Sequence, residues 1–225
     1  MLKKSVVIVA GGAGKRMGSD IPKQFLLLQG RPILMHTLER FRFYDPEMQI
    51  VLVLPSNDIE FWEKLCIEYK FKVAHTVVIG GRERFFSVKN GLLGLAECDY
   101  VAIHDGVRPI VGFDLITRCF SRVVDKLAVI PVVSPVESIR FGAYDKSSML
   151  DREKVFLVQT PQVFKFDLIM KAYQTGFDPR FTDDASVVEN YGVGICLVEG
   201  DPKNIKITNP LDVALAELYL HNNNG

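Results

Sequence analysis

Five apolar, β-branched runs separated by stretches of helical spacing constrain the fold of this chain most. The runs lie at residues 5–10, 49–54, 73–79, 100–103 and 127–133. Apolar residues recur at helical spacing over 32–43, 58–69, 84–97 and 113–125. Continuous apolar strands that alternate with helices are typical of a mostly parallel sheet covered by helices on both faces. The sequence therefore predicts an α/β protein whose ligands bind at the carboxyl ends of the strands.

The same alternation continues near the C-terminus. Helices are predicted near 165–175, 183–191 and 209–220, and a strand is predicted at 194–199. Asn209 and Pro210 indicate the start of the helix at 209–220, because proline is favoured at the first helical position. No linker or repeat separates these elements, so we expect a single domain over residues 1–225.

A glycine-rich segment, residues 10–25, directly follows the first apolar run. Glycines allow backbone N–H groups to approach anionic oxygens, and Lys15, Arg16 and Lys23 add positive charge. The Walker pattern is excluded because Lys15 is followed by Arg16 and not by Ser or Thr. The dinucleotide-binding fingerprint is excluded because Met17 stands where its third glycine should be. The segment therefore predicts a site at which a triphosphate reacts.

The composition excludes several other classes of protein. The 27 basic and 27 acidic residues give a formal net charge of zero, so there is no global attraction to nucleic acid or an anionic membrane. No apolar run approaches the roughly 20 residues of a membrane span. The four cysteines lack the spacing of zinc ligands, and we expect free thiols in a reducing cytoplasm. They are Cys66, Cys98, Cys119 and Cys196.

The segment 80–87 also lies at a predicted strand end and begins a helix. Its sequence, Gly-Gly-Arg-Glu-Arg-Phe-Phe-Ser, brings the backbone of Gly80 and Gly81 and the hydroxyl of Ser87 to the ligand edge of the sheet. A helix N-terminus at this edge can hold an anion or the edge of a base. A turn with a capping box is the alternative interpretation.

Asp105 follows the fourth apolar run and brings a carboxylate to the same edge. An aspartate among phosphate-binding cations favours Mg²⁺, which binds a few carboxylates together with substrate phosphates. A structural ion pair with Arg108 is the alternative. For His104 alone, a hydrogen-bonded structural role is favoured over catalysis.

Three polar segments follow in the second half of the chain. Gln159 and Thr160 are predicted to line the floor of the site, in a segment that opens a helix. Asp183 and Asp184 favour helix capping, because acids are preferred in the first turn. Lys206 alternates with two isoleucines in an extended run, so it should face solvent or a polar site.

The alternation of strands and helices is interrupted over residues 134–158. The stretches 134–140 and 155–160 look extended, and the polar residues 142–147 between them suggest a hairpin-like arm. A two-stranded arm is marginal alone in water, so we expect it to pack on a second copy of the chain.

Five motifs occur in order: GGxGxRMG followed by PKQ, HDxxRP, QTPQxF, TDDAS and NIKIT. Together they make residues 5–220 similar to the cytidylyltransferases of isoprenoid synthesis. The resemblance implies a Rossmann-like nucleotidyltransferase fold and a homodimer joined by the β-arm. It also implies an enzyme that joins CTP to a polyol phosphate with Mg²⁺ and releases pyrophosphate.

The resemblance also implies roles for individual residues. Catalytic roles go to Arg16, Lys23, Arg152 and Lys206. Substrate-binding positions are Ala10, Gly11, Gly12, Gly14, Gly80, Gly81, Arg82, Ser87, Asp105, Gly106, Arg108, Ser138, Thr160 and Thr182. Asp105 is also the metal-site acid, and the arm residues Ser138 and Arg152 are expected to reach the acceptor phosphate of the partner subunit.

The acceptor implied by the resemblance is 2-C-methyl-D-erythritol 4-phosphate. Ribitol 5-phosphate is the alternative, because the form Ala10-Gly11-Gly12 is familiar from ribitol-5-phosphate cytidylyltransferases. The chain also has Glu137-Ser138 where the family usually has Asp-Thr, and Arg82 where an acid is common. A CTP-binding sensor without catalysis is a second alternative.

Overall fold

The computed structural model describes residues 2–11 and 21–222. Its central sheet has eight strands. Those in the first half are β1 (Lys4–Val9), β4 (Gln49–Leu54), β5 (Thr76–Ile79) and β6 (Tyr100–Asp105). The remaining four are β7 (Ala128–Val133), β10 (Leu157–Val158), β11 (Gln162–Lys165) and β12 (Cys196–Glu199).

The first four strands of the sheet are parallel and lie in the order β5, β4, β1, β6. Strand β11 follows, antiparallel to both β6 and β7, and β12 pairs parallel with β7. The predicted mostly parallel sheet is thus confirmed. The antiparallel strand β11 was not predicted, because Val163 and Phe164 are too short an apolar run to indicate a strand.

Helices cover both faces of the sheet, as predicted. One face packs against α1 (Ile33–Tyr44), α2 (Ser56–Glu68) and α4 (Phe113–Lys126). The other face packs against α3 (Arg84–Leu93), α5 (Phe166–Ala172) and α6 (Asp184–Asn190). Successive residues of β1 serve opposite faces: Val6 and Ile8 contribute to the first core, and Val7 to the second.

A smaller apolar cluster joins the last helix, α7 (Pro210–Asn222), to the main body. Ile207, which is fully buried, belongs to this cluster, and its N–H donates to the Val107 carbonyl at 2.9 Å. The side chain of the preceding Lys206 is half-exposed and lines the ligand edge, as the alternation predicted. Two short strands, β2 (Leu27–Leu28) and β3 (Arg31–Pro32), pair with each other before α1.

The arm is a two-stranded sheet of its own. It consists of β8 (Ile139–Gly142) and β9 (Ser147–Leu150). The expectation that 134–140 and 155–160 bracket the hairpin is wrong. Gly142 has a φ of +131°, and the backbone bonds between Ala143 and Lys146 close the turn, so residues 147–150 return against 139–142. Strand β10 pairs instead with the end of β7 in the main sheet.

Among the described residues, no helix is both long and apolar enough to cross a membrane. All four cysteines are free thiols in the structure. Burial raises the pKa of Cys119 to about 12, so this thiol stays protonated at neutral pH.

Candidate active site

A cavity of about 260 Å³ lies at the carboxyl ends of β1 and β6, where the parallel sheet is expected to bind its ligand. Its wall is formed by Val9, Ala10, Gly11, Lys23, Gln24, Gly81, Arg82, Glu83, Arg84, Ser87, Asp105, Val107 and Lys206. A second cavity of about 430 Å³ adjoins it and shares Gly11, Gly81 and Ser87. Gly80, Asp58 and Asn57 line only this second cavity.

Ala10 and Gly11, the described beginning of the glycine-rich segment, line the cavity at the end of β1. The N–H of Ala10 donates to the Val53 carbonyl at 3.0 Å, and this bond continues the sheet up to the edge of the cavity. Within residues 2–11 and 21–222, no atom other than those of Gly11 and its chain neighbours lies within 4 Å of where a Cβ at Gly11 would be. The predicted site residues Gly12, Gly14 and Arg16 lie outside the described residues.

The turn at 80–87 brings backbone groups to the opposite wall. The N–H of Gly81 donates to Ser87 Oγ at 3.1 Å. A Cβ at Gly81 would lie 2.2 Å from the Cβ of Phe86, so only glycine fits this close approach. The guanidinium of Arg82 lies 5.4 Å from the ring centroid of Phe86. Ser87 therefore stabilises the turn, but no capping box forms, because the N-cap residue Glu83 makes no side-chain capping bond. Ligand binding by this segment stays a prediction.

Asp105 is the acidic centre of the cavity and is only 8% exposed. Its Oδ2 lies 3.0 Å from Lys206 Nζ and 3.2 Å from Arg108 Nε. Burial alone would raise the pKa of this carboxyl, but the charges of Lys206, Arg84 and Arg108 outweigh burial and hold the pKa below its usual range. The structural pair with Arg108 is thus present, together with the cavity cation Lys206.

Arg108 and Gly106 support Asp105 without lining the cavity. Besides its pair with Asp105, Arg108 donates from Nη1 to the Asn204 carbonyl at 2.7 Å. Gly106 lies against the β1 end, where an added Cβ would be 2.8 Å from the Cβ of Ala10. Both residues were predicted to bind substrate; in this structure they lie beneath the surface that substrate would meet.

His104 and Thr160 form a buried hydrogen-bonded layer beneath Asp105. His104 Nε2 lies 3.2 Å from the Arg108 carbonyl, which can only accept, so Nε2 carries the proton. Nδ1 therefore accepts from the Thr160 hydroxyl at 3.0 Å, and Thr160 Oγ1 accepts the Asp105 N–H at 3.1 Å. Burial lowers the pKa of His104 to about 4, which keeps the ring neutral. The structural role favoured for His104 is confirmed.

Arg84 is a cavity residue for which sequence reasoning found no role. Its guanidinium forms two parallel bonds with the fully buried Asp184, at 2.8 and 2.6 Å, and Tyr173 donates to the same carboxylate at 2.6 Å. Capping was the role favoured for both acids of the TDD motif. It is confirmed for Asp183, whose side chain accepts the Ser186 N–H, and it is wrong for Asp184. The sequence did contain a signal for Arg84: it is an arginine that begins a helix shortly after the end of a strand.

The remaining predicted residues do not line the cavity of their own chain. Thr182 is exposed beside the cap residue Asp183. Ser138 and Arg152 lie at the arm, both exposed, and Arg152 Nη1 donates to the Val136 carbonyl at 2.8 Å.

The side chains that line the cavity could hold a metal ion only if the substrate supplied most of its ligands. Among residues 2–11 and 21–222, no three His, Cys, Asp or Glu side chains cluster as metal ligands. The ionised carboxylate of Asp105 is a single oxygen donor of the kind Mg²⁺ prefers, and Mg²⁺ commonly takes most of its remaining ligands from phosphates and water.

A cavity lined by Lys23, Arg84 and Lys206 and by the backbone of Gly11 and Gly81, at the carboxyl edge of an α/β sheet, suits a nucleotide, and the family match below identifies the class as nucleotidyltransferase. Residues 5–222 match the family model of 2-C-methyl-D-erythritol 4-phosphate cytidylyltransferase. The chain belongs to this family, so the family and enzyme class predicted from the sequence are confirmed.

Individual relatives agree with this assignment. The 2-C-methyl-D-erythritol 4-phosphate cytidylyltransferase of Bacteroides thetaiotaomicron is 52% identical over 219 residues, which cover 97% of this chain and 100% of that protein. The crystal structure of 4-diphosphocytidyl-2C-methyl-D-erythritol synthase from Anaerococcus prevotii aligns with a TM-score of 0.82 at 27% identity, covering 98% of this chain and 99% of that one. The Francisella tularensis cytidylyltransferase aligns with a TM-score of 0.81 at 31% identity, covering 96% and 99%. The Rossmann-like fold is thereby confirmed.

Proposed function

We propose that this chain transfers CMP from CTP to 2-C-methyl-D-erythritol 4-phosphate and releases pyrophosphate. The observation that carries the proposal is the convergence of Lys23, Asp105 and Lys206 on one cavity, beside the backbone of Gly11 and Gly81. Membership of the cytidylyltransferase family supports the same reaction.

In the proposed reaction, an oxygen of the acceptor phosphate attacks the α-phosphorus of CTP. The bond from that phosphorus to the oxygen bridging the β-phosphate breaks, and pyrophosphate leaves. No protein nucleophile is needed, so the chain contributes positioning and charge. Lys23 and Arg16 stabilise the triphosphate, and Lys206 orients the acceptor.

The network beneath the cavity supports this division of roles. Because the pKa of Asp105 is held low, its carboxylate stays ionised and keeps Lys206 at the cavity wall. The Thr160 hydroxyl, which lies beneath Asp105, accepts a hydrogen bond from the Asp105 backbone N–H. The cation that orients the acceptor therefore rests on a rigid, buried support.

We propose Asp105 as the residue that holds Mg²⁺ when substrate is bound. Mg²⁺ would there offset the negative charge of the triphosphate, together with the protein cations. A cytoplasmic location remains a prediction from the sequence.

We further propose a single domain whose arm, residues 134–158, joins two copies into a homodimer. Apart from half-buried Ile139, the arm strands β8 and β9 are exposed in the single chain, and so are Phe156, Leu157 and Val158. A second copy would cover these apolar groups and receive Arg152 and Ser138 at its acceptor site.

The proposal is tested by measuring pyrophosphate release with CTP and each of two acceptors. We expect rapid release with 2-C-methyl-D-erythritol 4-phosphate and much slower release with ribitol 5-phosphate. The opposite preference would identify the alternative acceptor, and CTP binding without release with either acceptor would identify a sensor.

A further inference from the structure

The short turn that carries Lys23 depends on another part of the chain for its placement. Lys23–Phe25 form a single turn of 3₁₀ helix. Its backbone bonds are Phe25 N–H to the Pro22 carbonyl at 2.9 Å and Leu26 N–H to the Lys23 carbonyl at 3.2 Å. One 3₁₀ turn has poor hydrogen-bond geometry and little stability of its own. Contacts from its side chains must therefore determine where it lies.

Helix α1 packs against the turn, and helix α2 adds one hydrogen bond and two ring contacts. Gln24, which is 1% exposed, donates from Nε2 to Asp58 Oδ2 at 3.0 Å. The ring of Phe25 lies 5.2 Å from that of Phe61, edge to face, and 6.1 Å from that of Trp62. Asp58, Phe61 and Trp62 all belong to α2.

The two kinds of contact have different effects. Apolar packing of Phe25 is non-directional and resists withdrawal of the turn from the core. The hydrogen bond of Gln24 is directional and fixes the rotation of the turn about its own axis. Since Lys23 and Gln24 are adjacent and both line the main cavity, that rotation sets the direction in which the Lys23 side chain leaves the backbone.

Gln24 is an unfavourable residue for a purely stabilising role. Its Oε1 is buried and has no hydrogen-bond partner among the described residues. A buried, unpaired amide oxygen reduces stability, and an apolar side chain of similar size would avoid that loss. The polar group thus serves placement better than it serves stability.

We propose that the Gln24–Asp58 hydrogen bond is a positioning device that aims the Lys23 ammonium at the triphosphate. This inference rests on the proposed function, in which Lys23 stabilises the transition state. Asp58 acts from the neighbouring cavity, through Gln24, and neither residue is a catalytic group.

The first test is Gln24→Met, which keeps the length of the side chain and removes the hydrogen bond. We expect kcat to fall about 10- to 100-fold, as for a misplaced catalytic group, while the KM for CTP changes little. The free energy of unfolding in urea should be unchanged or higher, because the unpaired amide is gone. A merely structural bond would give the reverse: lower stability with normal kcat.

The second test reverses the polarity of the bond. Gln24→Glu places two carboxylates together and should also lower kcat. Combining Gln24→Glu with Asp58→Asn exchanges donor and acceptor, because the new amide at position 58 can donate to the new carboxylate at position 24. In this double variant kcat should return to within a few-fold of wild type. The matched control is Glu60→Gln, which removes an exposed ion pair with Lys64 on the same helix and should leave kcat unchanged.

The outcomes separate the two proposals. A wild-type chain that turns over CTP, with a folded Gln24→Met variant of normal kcat, would refute the positioning role alone. Failure of the double variant to recover, although folded, would refute it equally. A folded wild-type chain without pyrophosphate release would refute the proposed function, and the positioning role with it.

Discussion

Lys206 and Asp105, from distant parts of the chain, form an ion pair 3.0 Å long at the wall of the cavity. The lysine side chain is 43% exposed and the aspartate side chain 11%. The pair therefore presents a cation to the ligand while its anion stays buried.

Replacing Asp105 with Asn should lower both activity and stability. The variant leaves Lys206 and the buried Arg108 without their anion, and breaking a buried pair typically costs about 3–5 kcal/mol. Because the pKa of Asp105 is lowered in the folded state, its stabilising effect is complete above its unfolded pKa of about 3.9 and is lost as the pH falls below that value. Urea unfolding at pH 7 and pH 3 should show a smaller difference between wild type and variant at pH 3.

Replacing His104 with Gln should weaken the pH dependence of stability. The folded pKa of about 4 lies below the unfolded value near 6.5, so between these values protons bind the unfolded chain and stability falls as the pH falls. Between pH 7 and pH 5, the titration of His104 alone should lower the free energy of unfolding of the wild type by about 2 kcal/mol. Urea unfolding of both proteins at the two pH values measures it, and an equal loss in the variant would contradict the assignment.

Arg16→Ala and Lys23→Ala should each lower kcat severely without unfolding the protein. Removing one preorganised charge aimed at a transition state typically costs about 10²–10³-fold. Steady-state pyrophosphate release at saturating CTP is the measurement, with circular dichroism as the control for folding. Near-normal turnover would remove that residue from the chemistry.

The enzyme should prefer CTP to ATP and GTP with the same acceptor. The turn that carries Gly80 and Gly81 is closely packed, since a Cβ at Gly81 would already lie 2.2 Å from the Cβ of Phe86, so its backbone cannot move aside for a larger base. A larger purine would clash or leave buried polar groups unpaired, at about 1–3 kcal/mol for each group. Competition assays with the three nucleotides test this prediction, and equal turnover would disprove it.

Mixing two inactive variants should restore activity if the arm of each copy completes the site of the other. In a heterodimer of Arg152→Ala and Lys23→Ala chains, one site carries both defects and the other carries neither. Subunit exchange is verified by native mass spectrometry and turnover is measured on the same sample. Exchange without recovered turnover would mean that Arg152 does not serve a partner's site.

Much of the fold could be predicted from local patterns. The runs at 5–10 and 49–54 correspond to β1 and β4 within one residue, and 113–125 corresponds to α4. Strand β11 could not be predicted, because its four residues become a strand only between β6 and β7, which both pair with it. The arm was located correctly, but its strand pairing depended on the turn at Gly142.

Part of the candidate site could also be predicted from local patterns along the chain. Strand-end motifs identified Ala10, Gly11, Gly81, Ser87, Asp105 and Lys206, which line the cavity. Thr160 and Arg108 were found by motif, but their places beneath Asp105 were not. Arg84 and Asp184 were not recognised as a pair, since the helix starts that carry them gave no sign of each other.

The amino-acid sequence by itself determined the alternation of strands and helices, the glycine turns at strand ends and the family. Hydrophobic periodicity, turn chemistry and ordered motifs can all be recognised along the chain. Only the tertiary structure decided which distant groups meet: Lys206 with Asp105, Arg84 with Asp184 and Gln24 with Asp58. The physical reason is that these contacts depend on burial and on relative orientation, which exist only once the sheet and its helices have assembled.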